Sequence, residues 1–228
     1  MTYHFLQCRD ATCCFRFPAP IQEATAIRCP RCRGEVFVAE IATRSVDTVA
    51  PEIPATPAWA ALLDNIRSIH NAGSIFRTAD GAGFNHLYLC GITATPDNPR
   101  LAKAALGAHE TVGWTYSPNG VQLAAKLRDE GHRLYALERL TAETHASLPR
   151  IINPGYRTVL VVGNEKAGID PGILSLCDEV VSLPMVGRKS SLNAAVAFGI
   201  AAYYLRFGND NLTGQIQEAF RYDRRRPD

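Results

Sequence analysis

Two loops in the carboxyl-terminal half of the chain combine glycines with polar side chains where a ligand could bind. The first follows Thr158–Val162, a run of valine, leucine and threonine that predicts a strand. Gly163–Gly168 comes directly after it, and glycine lets backbone amides come close to a ligand. Asn164 and Glu165 add an amide and a carboxylate at the strand tip. For this loop alone, a tight turn with an exposed acidic residue is the simpler explanation.

A second loop favours the interpretation of the first as part of a binding site. It follows the predicted strand Glu179–Leu183 and spans Gly187–Asn193, at the start of a long apolar helix. In open α/β sheets ligands bind beyond the carboxyl ends of strands, and a helix amino terminus favours an anion such as a carboxylate or a phosphate. The sequence offers Ser190 or Ser191 as the helix cap, and Arg188 and Lys189 as neighbouring basic residues.

The amino-terminal segment has the cysteine spacing of a metal site. Cys8-x4-Cys13 is followed by Cys29-x2-Cys32, which resembles the paired cysteines of zinc ribbons, where four thiolates bind one Zn²⁺. Cys14 gives the alternative Cys8-x5-Cys14, so the spacing leaves the choice between Cys13 and Cys14 open. Two disulfides or inert thiols are the other explanation. Few apolar residues accompany the cysteines, so we expect the metal to supply much of the stability of this module.

Five arginines make this module locally basic. Contact with RNA and a merely solvated surface are both consistent with them. They are Arg9, Arg16, Arg28, Arg31 and Arg33.

Composition divides the chain into four parts. We predict a zinc-ribbon-like module at residues 1–38, a proline-containing linker at 39–57, a catalytic domain at 58–210 and a basic tail at 211–228. The tail either contacts RNA phosphates or is a disordered terminus.

Charge and hydrophobicity narrow the class of protein. The net charge of +2 over 228 residues means that a nucleic acid would have to bind a local basic patch. No apolar run reaches membrane-spanning length, and no signal peptide opens the chain. We therefore expect a cytoplasmic protein without a membrane partner.

The catalytic domain alternates predicted helices with predicted strands. This order indicates a mostly parallel sheet with helices on both faces. The first predicted helix begins at Trp59–Leu63 and continues through Asn65–Ala82. The other predicted helices are Leu101–Glu110, Asn119–Glu130 and Ala194–Leu205. The remaining predicted strands are His86–Gly91, Trp114–Ser117 and Arg133–Leu137.

Two of these helices carry unusual residues. Arg67, Asn71 and Arg77 lie among small residues suited to burial, and a buried arginine needs an anionic partner. Ala194–Leu205 is apolar nearly all round, so we expect one side to cover the sheet and another to contact a second subunit.

The loops and the first helix carry motifs that resemble those of a known family. They are similar to the motifs of the SpoU (TrmH-like) family in the SPOUT superfamily, whose members are S-adenosylmethionine-dependent RNA ribose 2′-O-methyltransferases. The resemblance covers Asp64–Phe207 and departs at Leu183, where isoleucine is usual. The motifs are Asn65-Ile66-Arg67, Asn71-x-x-Ser74-Ile75-x-Arg77-Thr78-Ala79, Gly163-Asn164-Glu165-x-x-Gly168, Leu183-Pro184-Met185 and Ser191-Leu192-Asn193.

The resemblance implies a fold, a cofactor and partners. The fold would be a trefoil-knotted α/β sheet, and composition alone could not have indicated a knot, since knots are rare. The chain would form a homodimer through its last helix and act on tRNA or rRNA. S-adenosylmethionine would bind at Gly163, Asn164, Leu183, Met185 and Leu192, and catalysis would fall to Asn71, Arg77, Glu165, Ser191 and Asn193.

Arg77 is the residue to which the family assigns activation of the ribose 2′-hydroxyl. A guanidinium stays protonated in proteins, so we expect Arg77 to hold the neighbouring phosphate and stabilise alkoxide charge. The proton acceptor stays open among a substrate phosphate, Glu165 and water.

Two other functions compete with this hypothesis. One is a zinc-dependent RNA-binding or assembly protein on a catalytically retired methyltransferase fold, although the presence of all five catalytic residues argues against it. The other is methylation of a base, which related knotted folds perform.

Overall fold

A computed structural model describes residues 3–20, 27–41, 59–139, 157–185 and 187–207. The chain divides into two compact units, 1–52 and 53–228. Most of the predicted linker and the whole predicted tail lie outside the described residues.

The amino-terminal unit is built on a small antiparallel sheet. Its strands are β1 (Tyr3–Cys8), β2 (Arg16–Pro20) and β3 (Val36–Ile41), in the order β2-β1-β3. Alternate residues of β1 point to one side, where Leu6 and Cys8 are buried. Since β3 continues to Ile41, the module extends past the predicted boundary at residue 38.

The larger unit contains a six-stranded sheet in the order β6-β5-β4-β8-β7-β9, with every neighbouring pair parallel. Because the strands are parallel, their carboxyl ends lie along one edge of the sheet. The strands are β4 (Trp59–Asp64), β5 (His86–Cys90), β6 (Gly113–Ser117), β7 (His132–Leu137), β8 (Arg157–Val162) and β9 (Glu179–Val181).

Helices cover both faces of this sheet, as predicted. On one face α1, α2, α3 and α6 share a hydrophobic core that includes Phe76 and Phe198. On the other face α4 and α5 pack around Leu127 and Ile173. The helices are α1 (Ile69–Ala82), α2 (Pro99–Ala105), α3 (Ala108–Thr111), α4 (Gly120–Asp129), α5 (Pro171–Leu174) and α6 (Ala194–Phe207).

The prediction that Trp59–Leu63 begins a helix is wrong. This segment is the central strand β4, and all six of its residues are buried. A strand covered on both faces is a continuous apolar run, which periodicity cannot distinguish from a buried helix. The chain then turns at Asn65, whose φ is +57°, and α1 begins after its cap, Ser68.

Two smaller predictions also differ from the structure. The predicted helix Leu101–Glu110 is two short helices, because Leu106 and Gly107 have φ of +49° and +90° and interrupt it. The last strand ends at Val181 rather than Leu183. The trefoil knot stays a prediction, because strand order alone does not trace how the chain threads. No helix in the described part of the chain has the length and hydrophobicity needed to cross a bilayer.

Close packing of α1 against α2 depends on Gly73. A Cβ at this position would lie 2.4 Å from Ala104 Cβ and 2.9 Å from the Ala104 carbonyl carbon. We expect Gly73→Ala to destabilise the domain by about 1–3 kcal/mol in urea denaturation. Gly199→Ala on α6 is the matched control, since its new Cβ would meet Thr78 Cγ2 at an ordinary 3.4 Å. There alanine should be neutral or stabilising by up to about 1 kcal/mol; equal effects of the two changes would contradict this packing.

Candidate functional site

The loop after β8 closes on itself. The backbone amides of Asn164 and Gly168 each donate to the other residue's carbonyl, at 3.0 and 2.9 Å. A Cβ on Gly163 would lie 2.3 Å from the Gly168 carbonyl carbon and from the Ile169 nitrogen. Position 163 therefore requires glycine because any side chain would clash with the closed loop. The sequence analysis expected a different reason, namely that glycine lets a ligand approach the backbone.

The Asn164 side chain fastens this loop to the neighbouring strand end. Its Nδ2 donates to the Asn65 carbonyl at 2.7 Å, and its Oδ1 accepts from the amides of Lys166 and Ala167 at 3.0 Å each. Both ends of the amide are therefore engaged within the protein, and Asn164 shapes the loop.

Glu138 is a site residue that the sequence analysis missed. Its Oε2 accepts a hydrogen bond from the Ile169 amide at 3.1 Å and so supports the far end of the same loop. Gly168 has φ of +77°, and a Cβ there would lie 2.7 Å from Glu138 Oε2. The available signal was position, since Glu138 directly follows β7 at the carboxyl edge of the sheet.

Glu165 joins this loop to the start of α1. Its carboxylate accepts hydrogen bonds from the amide of Arg67 at 2.9 Å, the amide of Ser68 at 3.0 Å and Asn71 Nδ2 at 2.9 Å. These donors lie just before and within the first turn of α1, where a negative charge is favoured.

The hydrogen bonds also set the charge state of Glu165. Partial burial raises the pKa of this carboxyl, but the amides of Arg67 and Ser68 and the side chain of Asn71 outweigh it and hold the pKa below its usual value. A lowered pKa in the folded state stabilises the fold above the carboxyl's ordinary pKa. That contribution is lost as pH falls through the lower folded value.

A chain of amide hydrogen bonds continues from Glu165 to α6. Asn193 Nδ2 donates to Asn71 Oδ1 at 2.9 Å, and Asn193 Oδ1 accepts from the amides of Ala195 and Val196 at 3.0 and 3.3 Å. An ionised carboxylate only accepts, so Asn71 must present its NH₂ to Glu165. Asn71 Oδ1 then faces Asn193, which leaves Asn193 Oδ1 to cap the helix. We call Glu165, Asn71 and Asn193 the amide relay.

The relay corrects the predicted helix cap. Asn193, rather than Ser190 or Ser191, provides the oxygen that caps α6. Ser190 instead accepts a hydrogen bond from Arg139 Nη1 at 3.3 Å. Ser191 is exposed and lines a cavity between these loops.

A cavity of about 490 Å³ lies between the loops after β7, β8 and β9 and the start of α6. Its walls include all five predicted cofactor-binding residues and three of the five predicted catalytic residues. These are Gly163, Asn164, Leu183, Met185 and Leu192, and Glu165, Ser191 and Asn193. Asn71 does not line the cavity, but it is hydrogen-bonded to two residues that do, Glu165 and Asn193.

Arg77 lies apart from this cavity. It is exposed on α1 and does not line the cavity, so the expectation of a buried arginine is wrong. Two nearby carboxylates are engaged elsewhere, since Asp80 on the same helix accepts from Thr111 Oγ1 at 2.7 Å and Glu165 belongs to the relay. No acidic side chain among the residues that the structure describes pairs with its guanidinium, which leaves it available to a partner from outside the chain.

The predicted metal ligands come together in the amino-terminal unit. One ligand atom from each of Cys8, Cys13, Cys29 and Cys32 lies within 4.8 Å of all the others. Cys14 is exposed, and its thiol donates to the Ala11 carbonyl at 3.0 Å.

Known proteins match most of this chain. Residues 59–203, well over half of the chain, match the model of the SpoU rRNA Methylase family. The chain is also 29% identical over 197 residues to the 23S rRNA (guanosine(2553)-2′-O)-methyltransferase RlmP of Bacillus subtilis. The aligned region covers 84% of this chain and 77% of RlmP.

Two solved structures with S-adenosylmethionine bound are similar to this fold. The SpoU methyltransferase AviRb from Streptomyces viridochromogenes is 28% identical with a TM-score of 0.57, over 75% of this chain and 64% of AviRb. An rRNA methyltransferase from Sinorhizobium meliloti is 28% identical with a TM-score of 0.58, over 64% of this chain and 54% of that one. The chain thus spans less than two thirds of either solved chain.

The predictions of a mostly parallel α/β fold, an RNA methyltransferase and S-adenosylmethionine as cofactor are confirmed at the level of the family. A parallel α/β sheet, three motif segments meeting at one cavity and the matched residues lead to the same assignment: the chain belongs to the SpoU rRNA methylase family.

Proposed function

We propose that this protein transfers a methyl group from S-adenosylmethionine to a ribose 2′-hydroxyl of tRNA or rRNA. The observation that carries the proposal is the amide relay, which joins three motif segments, and two of them line the cavity. Ribose methylation is also the reaction that the name of RlmP describes. The retired-enzyme alternative is not favoured, because the predicted catalytic residues are all present and three of them form the relay.

The cavity has the size and chemistry for S-adenosylmethionine. Sites for ligands of this size commonly measure 300–1,000 Å³ and combine apolar walls with a few polar groups. Leu183, Met185 and Leu192 supply apolar surface for an adenine, and the carboxylates of Glu138 and Glu165 favour a cationic ligand. When bound, the cofactor would supply an electrophilic methyl group on a sulfonium.

Glu165 acts as a positioning residue in this proposal. Its oxygens accept three hydrogen bonds and its pKa is lowered, so it is a weak base. The three hydrogen bonds occupy the Glu165 oxygens, and the acceptor of the 2′-hydroxyl proton stays open among a substrate phosphate, Glu165 and water. The relay holds the loops that line the cavity, and positioning of this kind supplies much of a transfer rate.

In this proposal Arg77 binds the substrate. Exposed and without an anionic partner in the described part of the chain, it can hold a ribose-adjacent phosphate through two parallel hydrogen bonds. A phosphate held in this way orients the ribose for attack at the cavity, which Arg77 itself does not line.

The function is tested by incubating the purified chain and isotope-labelled S-adenosylmethionine with total RNA from a strain that lacks this gene. Mass spectrometry of the digested nucleosides should show label only in a 2′-O-methyl nucleoside. Label in a methylated base would identify the base-methylation alternative, and no label together with no cofactor binding in calorimetry would contradict the proposal.

We expect Arg77→Ala to lower single-turnover methyl transfer by on the order of 10²–10³ while S-adenosylmethionine affinity and melting temperature stay near wild type. Arg77→Lys should also fail, because an ammonium cannot make the planar two-pronged contact.

Glu165→Gln is the comparator on the same preparations. It places an amide NH₂ against either the Arg67 amide or the Ser68 amide and Asn71 Nδ2, so melting temperature, cofactor affinity and transfer should all fall. Wild-type turnover of Arg77→Ala would remove Arg77 from the mechanism, and a joint loss of all three quantities would make Arg77 structural.

We further propose that the chain forms a homodimer through α6. One side of this helix packs on the core through Phe198 and Leu205. The other side is an apolar face at helical spacing, of a kind that marks interaction surfaces. Its residues are Val196, Ile200, Tyr203 and Tyr204, with exposed fractions of 50, 47, 47 and 38%.

Ile200→Glu should convert a dimer to a monomer in light scattering without unfolding the domain, because Ile200 faces away from the core. Gln122→Glu is the matched control, since it adds the same charge to an exposed position of α4. A wild-type chain that is monomeric at micromolar concentration would contradict the dimer.

The division into module, linker, catalytic domain and tail also stays a proposal. We place the site of action in the cytoplasm, because the RNA substrates named for the bacterial relatives are found there.

A further inference from the structure

The four clustered cysteines have the geometry of a tetrahedral metal site. Cys8 and Cys32 Sγ are 3.4 Å apart, and Cys13 and Cys29 Sγ are 3.8 Å apart. Four sulfurs at about 2.3 Å from one Zn²⁺ form a tetrahedron with edges of about 3.8 Å. The observed separations are close to that edge and well above the roughly 2.05 Å of a disulfide.

Two backbone turns aim these sulfurs at one point. In the first, Asp10 Oδ1 accepts from the Thr12 amide at 2.8 Å, and the amides of Cys13 and Cys14 donate to the Asp10 carbonyl. In the second, the Cys29 amide donates to the Gly34 carbonyl and the Arg33 amide to the Cys29 carbonyl, at 2.9 and 2.8 Å. Each turn is fixed by hydrogen bonds that do not involve a thiol.

Gly34 leaves room for the sulfurs. A Cβ at this position would lie 3.2 Å from Cys32 Sγ and 3.6 Å from Cys8 Sγ. A side chain would therefore press on Cys32 Sγ and come into ordinary contact with Cys8 Sγ.

The structure also distinguishes the two adjacent cysteines. Cys14 has φ of +47°, is exposed, and donates its thiol to a backbone carbonyl outside the cluster. Cys13 is partly buried and has its sulfur beside Cys29. Only one of the pair can belong to the tetrahedron, and the geometry favours Cys13.

We propose that Cys8, Cys13, Cys29 and Cys32 bind one structural Zn²⁺ and that this ion holds the amino-terminal module together. Four thiolates close the coordination sphere, so the ion has no open position for catalysis. In the described part of the module the buried side chains with apolar character are Leu6, Ala19, Cys8 and Cys29. Two of these four are metal ligands, so the module's core is largely the site itself, and folding of the module should depend on the metal.

The test uses the full chain, purified under reducing conditions, with Cys13→Ser and Cys14→Ser as a matched pair. Elemental analysis should find one zinc per chain in the wild type and in Cys14→Ser, and well under one in Cys13→Ser. Replacement of zinc by Co²⁺ should give the visible absorption of tetrahedral thiolate coordination in the first two proteins only. Limited proteolysis should cut the module of Cys13→Ser and spare the larger unit.

Three results would overturn the inference: a wild-type chain without metal whose cysteines are in disulfides or free, iron in place of zinc, or loss of zinc from Cys14→Ser but not from Cys13→Ser. Calorimetry with S-adenosylmethionine on the same preparations keeps the two proposals separate. Zinc content reports on the module, and cofactor affinity reports on the cavity of the larger unit.

Discussion

The site depends on one constraint, which is that the ionised carboxylate of Glu165 can only accept hydrogen bonds. Three donors around it, the amides of Arg67 and Ser68 and the side chain of Asn71, satisfy that requirement. The orientation of Asn71 is then fixed, and Asn71 in turn fixes Asn193 at the start of α6. A single acidic side chain thus determines how three segments of the chain meet.

The parallel sheet makes this meeting possible. Neighbouring strands β4, β8 and β7 end at one edge, so the loops that follow them are adjacent although they are far apart in sequence. Gly163 and Gly168 allow the middle loop to close tightly, and Glu138 and Asn164 fasten it on either side. The cavity lies against this hydrogen-bonded loop, while Arg77 lies apart from it on the surface of α1. Under the proposed function, cofactor binding and substrate binding therefore fall to different parts of the domain.

Sequence patterns predicted the parallel α/β class and the position of both loops, because glycines and polar residues after strand-forming runs are local signals. The residues that line the cavity were implied by the resemblance to the SpoU family instead. The patterns failed at Trp59–Leu63, where burial on both faces removes the periodicity that distinguishes strand from helix. The hydrogen bonds of Glu165 could not be predicted from the sequence either, because its backbone donors lie 97 and 98 residues away along the chain. The choice between Cys13 and Cys14 needed the local backbone, because both spacings are compatible with a metal site.

A double-mutant cycle on the amide relay tests most directly whether its members act as one unit. Asn71→Ala removes the link to Glu165, and Asn193→Ser retains a helix-capping oxygen but removes the amide that donates to Asn71. S-adenosylmethionine affinity would be measured by calorimetry for the wild type, both single variants and the double variant. If the relay positions the cavity loops, the double variant should be scarcely weaker than the weaker single variant, with a coupling on the order of 1 kcal/mol. Additive losses, or affinity unchanged in all three variants, would contradict a cofactor site held together by Glu165, Asn71 and Asn193.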